Sequence, residues 1–180
     1  VLIKMAAVLT ISGLLFVLLT GLMTLLYVLL YRIDLYWNVP VASLLCEDGP
    51  AIPRFAVTLL QYWWFQLGVG LGCVLIMALL FTGIMALTKN FYVGSALMVL
   101  LVAGFVVLLK MVPGTESSFL LMSSPMGLFF HTGFLLMPFL SASTMFTALP
   151  HFEGLSLLLW GIIAAIVMAL GMWRIRRASI

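Results

Sequence analysis

Long apolar runs separated by short polar breaks extend along the whole chain. The first run covers residues 5–31 and ends at Arg32. Three further runs cover residues 60–88, 91–110 and 155–173. Each run is continuously apolar rather than alternating, and each has close to or more than the roughly 20 residues that a helix needs to cross a bilayer. The pattern predicts an all-α, polytopic transmembrane helical bundle with about four full spans.

The composition supports the same class of protein. Of the 180 residues, 66% are hydrophobic and only 7% are charged, whereas a soluble domain carries about a quarter charged residues. We therefore expect residues 1–180 to form a single transmembrane domain, with no soluble catalytic domain beside it. The first run is too long for the core of a cleavable signal sequence, which has about 7–15 residues.

Residues 126–148 are also apolar, but Pro138 and a Ser-Ala-Ser-Thr patch interrupt them. If this stretch does not cross, one side of the membrane carries five basic residues and no acidic residue. These are Lys4, Lys89, Arg174, Arg176 and Arg177. If it does cross, the three arginines move to the other side. Because cytoplasmic loops carry the excess of Lys and Arg, the first arrangement is favoured.

Two consequences follow from this charge distribution. Both visible termini are expected in the cytoplasm, and residues 126–148 are expected to form a re-entrant or short-helical element on the outer side. Proline fits such an element, because it removes a backbone donor and favours a break in a helix. A kinked full span is the alternative, since membrane helices tolerate proline kinks.

Few side chains in the spans carry reactive chemistry. No Asp, Glu, Lys or Arg lies in the middle of a predicted span, where ion-coupled transporters usually keep one. The chain has no GxxxxGK[ST] phosphate-binding loop, so P-loop binding of ATP is not expected. His131 lies within the outer element and His151 just after it, and two histidines fall short of the three or four ligands of a stable metal site. We expect no catalytic residue, metal or cofactor in this chain.

The remaining candidates are polar or small residues. Gln61 and Gln66 are the most polar side chains near a span, and either line a conduit or bond to a neighbouring helix. Gly68 and Gly72 have the four-residue spacing of a face for close helix packing.

The order of the segments is similar to that of a known family of membrane proteins. A lysine leads into the span "IKMAAVLTISGLLFVLLTGLMTLLYVLL", and a tight Lys-Asn turn joins two spans within "ALLFTGIMALTKNFYVGSALMVLLVAGFVVLL". An outer segment then opens with "SSPMGLF", and the last span ends in "WRIRR". This succession resembles the C-terminal four spans of an ABC-2 type permease, the integral membrane subunit of many bacterial ABC exporters. Members of that family usually have six spans, so we expect the chain to lack the N-terminal spans and the cytoplasmic coupling helix between them.

The resemblance implies a multi-pass subunit of a bacterial cell membrane that pairs with a second permease subunit, identical or related. A separate ATP-binding cassette ATPase would bind ATP and Mg²⁺, and Lys89 and Asn90 become candidates for contact with it. The cargo would be hydrophobic or amphipathic, such as a peptide, a lipid-linked molecule or a drug. Membrane lipids are expected partners and nucleic acids are not. The alternatives are a non-catalytic scaffold or regulatory subunit of another complex, and a membrane enzyme or cytochrome that uses His131 and His151.

Overall fold

Helices account for nearly all of the residues that the structure describes. The computed structural model describes residues 2–40, 58–111, 124–129 and 152–178. Its long helices are α1 (Leu2–Tyr31), α2 (Leu59–Thr88), α3 (Phe91–Met111) and α4 (Phe152–Ala178). A 3-10 helix (Ile33–Tyr36) follows α1, and a short helix covers residues 125–129. Four helices are long and apolar enough to cross a membrane, which confirms the predicted all-α multi-pass bundle.

A capping box fixes the start of α2. Thr58 Oγ1 accepts a hydrogen bond from the backbone N–H of Gln61 at 3.4 Å, and Gln61 Oε1 accepts one from the N–H of Thr58 at 3.1 Å. The carbonyl of Val39 accepts the N–H of Leu59 at 3.0 Å. Since the first N–H groups of a helix have no partner within it, these bonds define where α2 begins. The side chain of Gln61 therefore caps its own helix.

α2 and α4 form the main packing seam of the bundle. Buried positions on α2 recur every three or four residues, at Val69, Cys73, Ile76, Leu80, Gly83 and Ala86. On α4, Ala164, Met168 and Gly171 are buried. This spacing is that of side chains interlocking between two helices at a shallow angle. Because lipid is as apolar as the seam, close contact and small residues hold it together rather than the hydrophobic effect.

The facing residues show that α2 and α4 run parallel. The facing pairs are Gly72 with Leu157, Thr82 with Met168, and Ala86 with Gly171. Residue numbers rise together along both helices, with an almost constant offset. The first residues of α2 and α4 therefore lie towards one end of the bundle, and their last residues lie towards the other.

α1 and α3 run antiparallel to α2. Along α1, Gly13 and Phe16 face Leu75 and Gly70, so the numbers on α2 fall as those on α1 rise. Along α3, Gly94 faces Met85, whereas Phe105 stacks edge-on against Trp160 of α4 with ring centroids 6.1 Å apart. On α4, Gly171 faces Ala86 and is therefore level with Gly94, whereas Trp160 comes earlier in α4. Residue numbers on α4 thus fall as those on α3 rise, so α3 is antiparallel to α4 as well.

The last residue of α3 and the first residue of α4 consequently lie at the same end of the bundle. This is the arrangement expected if the segment between Met111 and Phe152 does not cross. Of the predicted outer element, only residues 126–129 are described, and residues 130–148 lie outside the described residues. Its re-entrant course stays a prediction.

The short helix 125–129 lies well inside the bundle. Ser124 caps it, since its Oγ accepts the N–H of Gly127 at 3.0 Å. Leu128 is fully buried and clusters with Cys73 of α2. At about 1.5 Å per residue, Cys73 is about 20 Å along α2 from its start. Backbone groups at such a depth need partners from the protein, and the Ser124 hydroxyl supplies one.

Candidate functional site

A cavity of about 190 Å³ opens between α1, α2 and the short helix 125–129. Its walls carry aromatic rings, one amide, one hydroxyl and one glycine. The lining residues are Phe16, Thr20, Trp63, Gln66, Leu67, Gly70 and Phe129. We call this space the aromatic cavity.

The two ends of the aromatic cavity differ in polarity. Because α1 and α2 are antiparallel, Thr20 and Gln66 lie at the end nearer the start of α2. Phe16 and Gly70 lie deeper, where the rings of Phe16 and Phe129 meet edge to face with centroids 6.3 Å apart. The cavity therefore has a polar end towards one end of the bundle and an apolar end near its middle. We call the polar end the mouth and the apolar end the floor.

Gln66, predicted to line a conduit or to bond to a neighbouring helix, lines the mouth of this cavity. Its Nε2 donates to the hydroxyl oxygen of Tyr62, one turn earlier on the same helix, at 2.7 Å. The bond orients the amide and brings a phenol oxygen close to the mouth. Gln61, the other glutamine candidate, lies in the capping box and does not line the cavity.

The three glycines of the stretch around Gly70 have different surroundings. A Cβ on Gly70 would lie 2.8 Å from Cζ of Phe16, so the absence of a side chain lets that ring lie against α2. A Cβ on Gly72 would lie 3.2 Å from Leu157, which places this residue on the seam with α4. A Cβ on Gly68 would meet no atom of the described residues within 4 Å. Packing against another helix is therefore seen for Gly72, and for Gly68 it stays a prediction. Gly70, which the spacing argument passed over, lines the cavity.

The other end of the bundle, where α2 and α4 finish, is basic. Lys89 lies level with Arg174, because α2 and α4 run parallel with the offset described above, and both side chains are exposed. The guanidinium of Arg177 stacks on the ring of Trp173 at 4.0 Å. We call Lys89, Arg174 and Arg177 the basic end.

The acidic residues that the structure describes lie away from the basic end. Asp34 follows α1 and is paired with Arg32 at 3.7 Å on the surface. Glu153 is only 3% exposed. It lies in the first turn of α4, where the helix dipole favours a carboxylate. The charges that the structure describes are therefore polarised along the bundle axis.

A tight turn holds Lys89 and Asn90 between α2 and α3. Lys89 adopts a left-handed conformation with φ of 56°, and its N–H donates to the carbonyl of Met85 at 3.0 Å, which ends α2. Asn90 Oδ1 accepts the N–H of Tyr92 at 3.0 Å, which starts α3. Both candidate residues thus have a structural role, and both are exposed. Contact with an ATPase stays a prediction.

Loss of the Asn90 cap is expected to weaken α3. Asn90→Ala should lower the free energy of unfolding by about 1 kcal/mol, because the first N–H groups of α3 lose their side-chain acceptor. Asn90→Asp keeps an acceptor and serves as the control. Denaturant unfolding in detergent measures both variants, and equal destabilisation by Ala and Asp would contradict the capping role.

Two of the chemical candidates lie outside the described residues, namely His131 and His151. Within the part that the structure describes, no three His, Cys, Asp or Glu side chains lie together as a metal site would require. The Cys73 thiol is buried in the seam. No protein-family model, curated protein or solved structure shows a significant match to this chain.

Proposed function

We propose that this chain is the membrane-spanning permease subunit of an ATP-driven ABC exporter in a bacterial cell membrane. A separate ATP-binding cassette ATPase binds ATP and Mg²⁺ and docks at the basic end. The observation that carries the proposal is the basic end itself, where a tight turn places Lys89 level with Arg174. The order of segments that resembles an ABC-2 type permease supports the same reading.

The apolar spans are consistent with an external source of energy. No charged residue occurs between Met5 and Tyr31, between Leu59 and Thr88, or between Gly154 and Trp173. Self-powered transporters usually keep ionisable groups inside the membrane. A permease driven by a partner needs none, since nucleotide-dependent motion of the ATPase shifts it between two states. The same spans suit a hydrophobic or amphipathic cargo.

A second permease subunit completes the transport path in this proposal. α1 supports this idea, because most of its large apolar side chains are exposed and it packs mainly against α2. In a membrane such a helix is covered by lipid or by another subunit. The permease pair leaves a path between its halves, and the cargo crosses along it when the ATPase subunits close.

Recovery of an ATPase with the tagged chain tests the proposal. An ATP-binding cassette protein should be recovered with the wild-type chain from its own cells and identified by mass spectrometry. Lys89→Glu should reduce that recovery at least tenfold, about 1.4 kcal/mol of binding. Lys89→Gln, which only removes the charge, should give a smaller loss.

Arg32 provides a matched control at the opposite end. It is also a surface residue with a left-handed backbone, with φ of 52°, so Arg32→Gln makes the same change in a similar local geometry. It should leave the recovered ATPase unchanged. Recovery of the wild-type chain in a different complex, without any ATPase, would overturn the proposal in favour of a scaffold or regulatory subunit.

A further inference from the structure

We propose that the aromatic cavity binds the apolar end of an amphipathic molecule that enters from the bilayer. The site is built by this chain alone, from α1, α2 and the short helix 125–129. Binding there requires no ATPase, so this inference and the proposed function can fail independently.

The polarity of the walls selects an amphipathic ligand. At the mouth, the Gln66 amide donates a hydrogen bond of 2.7 Å to the Tyr62 hydroxyl, and Trp63 also lines the cavity. Tyrosine and tryptophan rings prefer the headgroup level of a membrane. At the floor, Phe16 and Phe129 offer only ring surfaces. A ligand with one polar and one apolar end satisfies both ends of the cavity.

The size of the cavity limits what can enter. An apolar protein cavity of about 150 Å³ holds one benzene molecule, and the aromatic cavity measures about 190 Å³. It therefore accommodates one aromatic ring or a short alkyl segment rather than a whole lipid tail. Edge-to-face and stacked contacts with its rings favour an aromatic ring over an alkyl segment.

The depth of the cavity makes the bilayer the source of the ligand. Its floor at Gly70 is about 16 Å along α2 from the first residue, at about 1.5 Å per residue. At such depths the surroundings of a transmembrane helix are hydrocarbon, where apolar groups are abundant and water is scarce. Two sources share this chemistry, namely the acyl chain of a phospholipid and the apolar part of an exported cargo.

Photo-crosslinking in nanodiscs tests the site with the full chain. One probe is a phosphatidylcholine with a diazirine in its acyl chain, and the other is a hydroxymethyl-substituted phenyl diazirine. Crosslinks are expected on the cavity walls at Phe16 and at residues 66–70, as mapped by mass spectrometry. Labelling by the lipid probe alone indicates a resident phospholipid. If the phenyl probe labels the walls and excess phosphatidylcholine does not reduce this labelling, the site binds a cargo-like ligand. Both results support the site.

Two neighbouring positions on α1 make a matched pair of variants. Thr20→Phe places a ring in the cavity and should reduce wall labelling at least fivefold. Gly21→Phe adds the same ring at a position where a Cβ meets no described atom within 4 Å, and labelling should persist. Phe16→Ala enlarges the cavity and should keep or increase labelling at residues 66–70. Size-exclusion profiles identify any variant that misfolds.

Two results would overturn the proposal. One is equal wall labelling in the Thr20→Phe and Gly21→Phe variants. The other is labelling of the wild-type walls no stronger than that of lipid-facing residues of α3, such as the exposed Leu100.

Discussion

Gly171→Leu is expected to force α4 away from α2 and to lower the free energy of unfolding by about 1–3 kcal/mol, the usual cost of overpacking. A Cβ at this position would lie 2.7 Å from Cβ of Ala86 and 2.9 Å from the carbonyl oxygen of Gly83. A Cβ on Gly83 would likewise lie 3.1 Å from the backbone nitrogen of Met168. Because the opposing atoms belong to backbone or to a Cβ, no rotamer change relieves the contact.

Gly161→Leu is the matched control for this experiment. It lies on the same helix, but a Cβ there would meet no atom of the described residues within 4 Å. Both changes replace glycine with leucine in α4, so their effects on helix propensity are equal. Unfolding in a denaturing detergent, followed by circular dichroism, measures the difference. Similar midpoints for the two variants would show that the α2–α4 seam does not govern stability.

Cysteine labelling from outside intact cells is expected to distinguish the two ends of the bundle completely. In a Cys46→Ser, Cys73→Ala background, Arg32→Cys should react with a membrane-impermeant maleimide. Lys89→Cys and Arg177→Cys should react at least tenfold less until the membrane is permeabilised. The expectation rests on the excess of Lys and Arg on cytoplasmic loops.

The same experiment tests the parallel course of α2 and α4. Lys89 follows the end of α2, and Arg177 lies near the end of α4, so their labelling should always agree. Labelling of Arg177→Cys alone from outside would mean that the segment between α3 and α4 crosses the membrane. Labelling of both, with Arg32→Cys protected, would invert the proposed orientation and remove the ATPase from the basic end.

The spans were predictable because length and apolar character are local properties. The first run, predicted at residues 5–31, appears as a candidate span from Met5 to Tyr31, and the last, predicted at residues 155–173, as one from Glu153 to Ile175. The observed helix ends differ from the predicted ends by a few residues, because capping residues fix the observed ends. The Thr58–Gln61 capping box starts α2 at Leu59, just before the predicted residue 60.

Which face of each helix is buried was less predictable than the presence of the helix. In a soluble protein the polar side of a helix reveals its buried side, but in a membrane both sides are apolar. The sequence singled out Gly68 and Gly72 for packing. Gly72 does face Leu157 on the seam, but the buried positions of α2 are others, such as Val69, Cys73 and Gly83. A shift of one residue rotates a helix face by about 100°, given 3.6 residues per turn.

By itself the amino-acid sequence determined that this protein is an all-α multi-pass membrane bundle whose positive charges are concentrated in few segments. Continuous apolar runs can satisfy their backbone in a bilayer only as helices, and charges remain at the ends of those helices. Only the tertiary structure decided that α2 and α4 run parallel and that a short helix reaches the level of Cys73. Only the tertiary structure forms the cavity beside Gly70. These features depend on contacts between residues far apart in the chain, and a uniformly apolar sequence carries no pattern that specifies them.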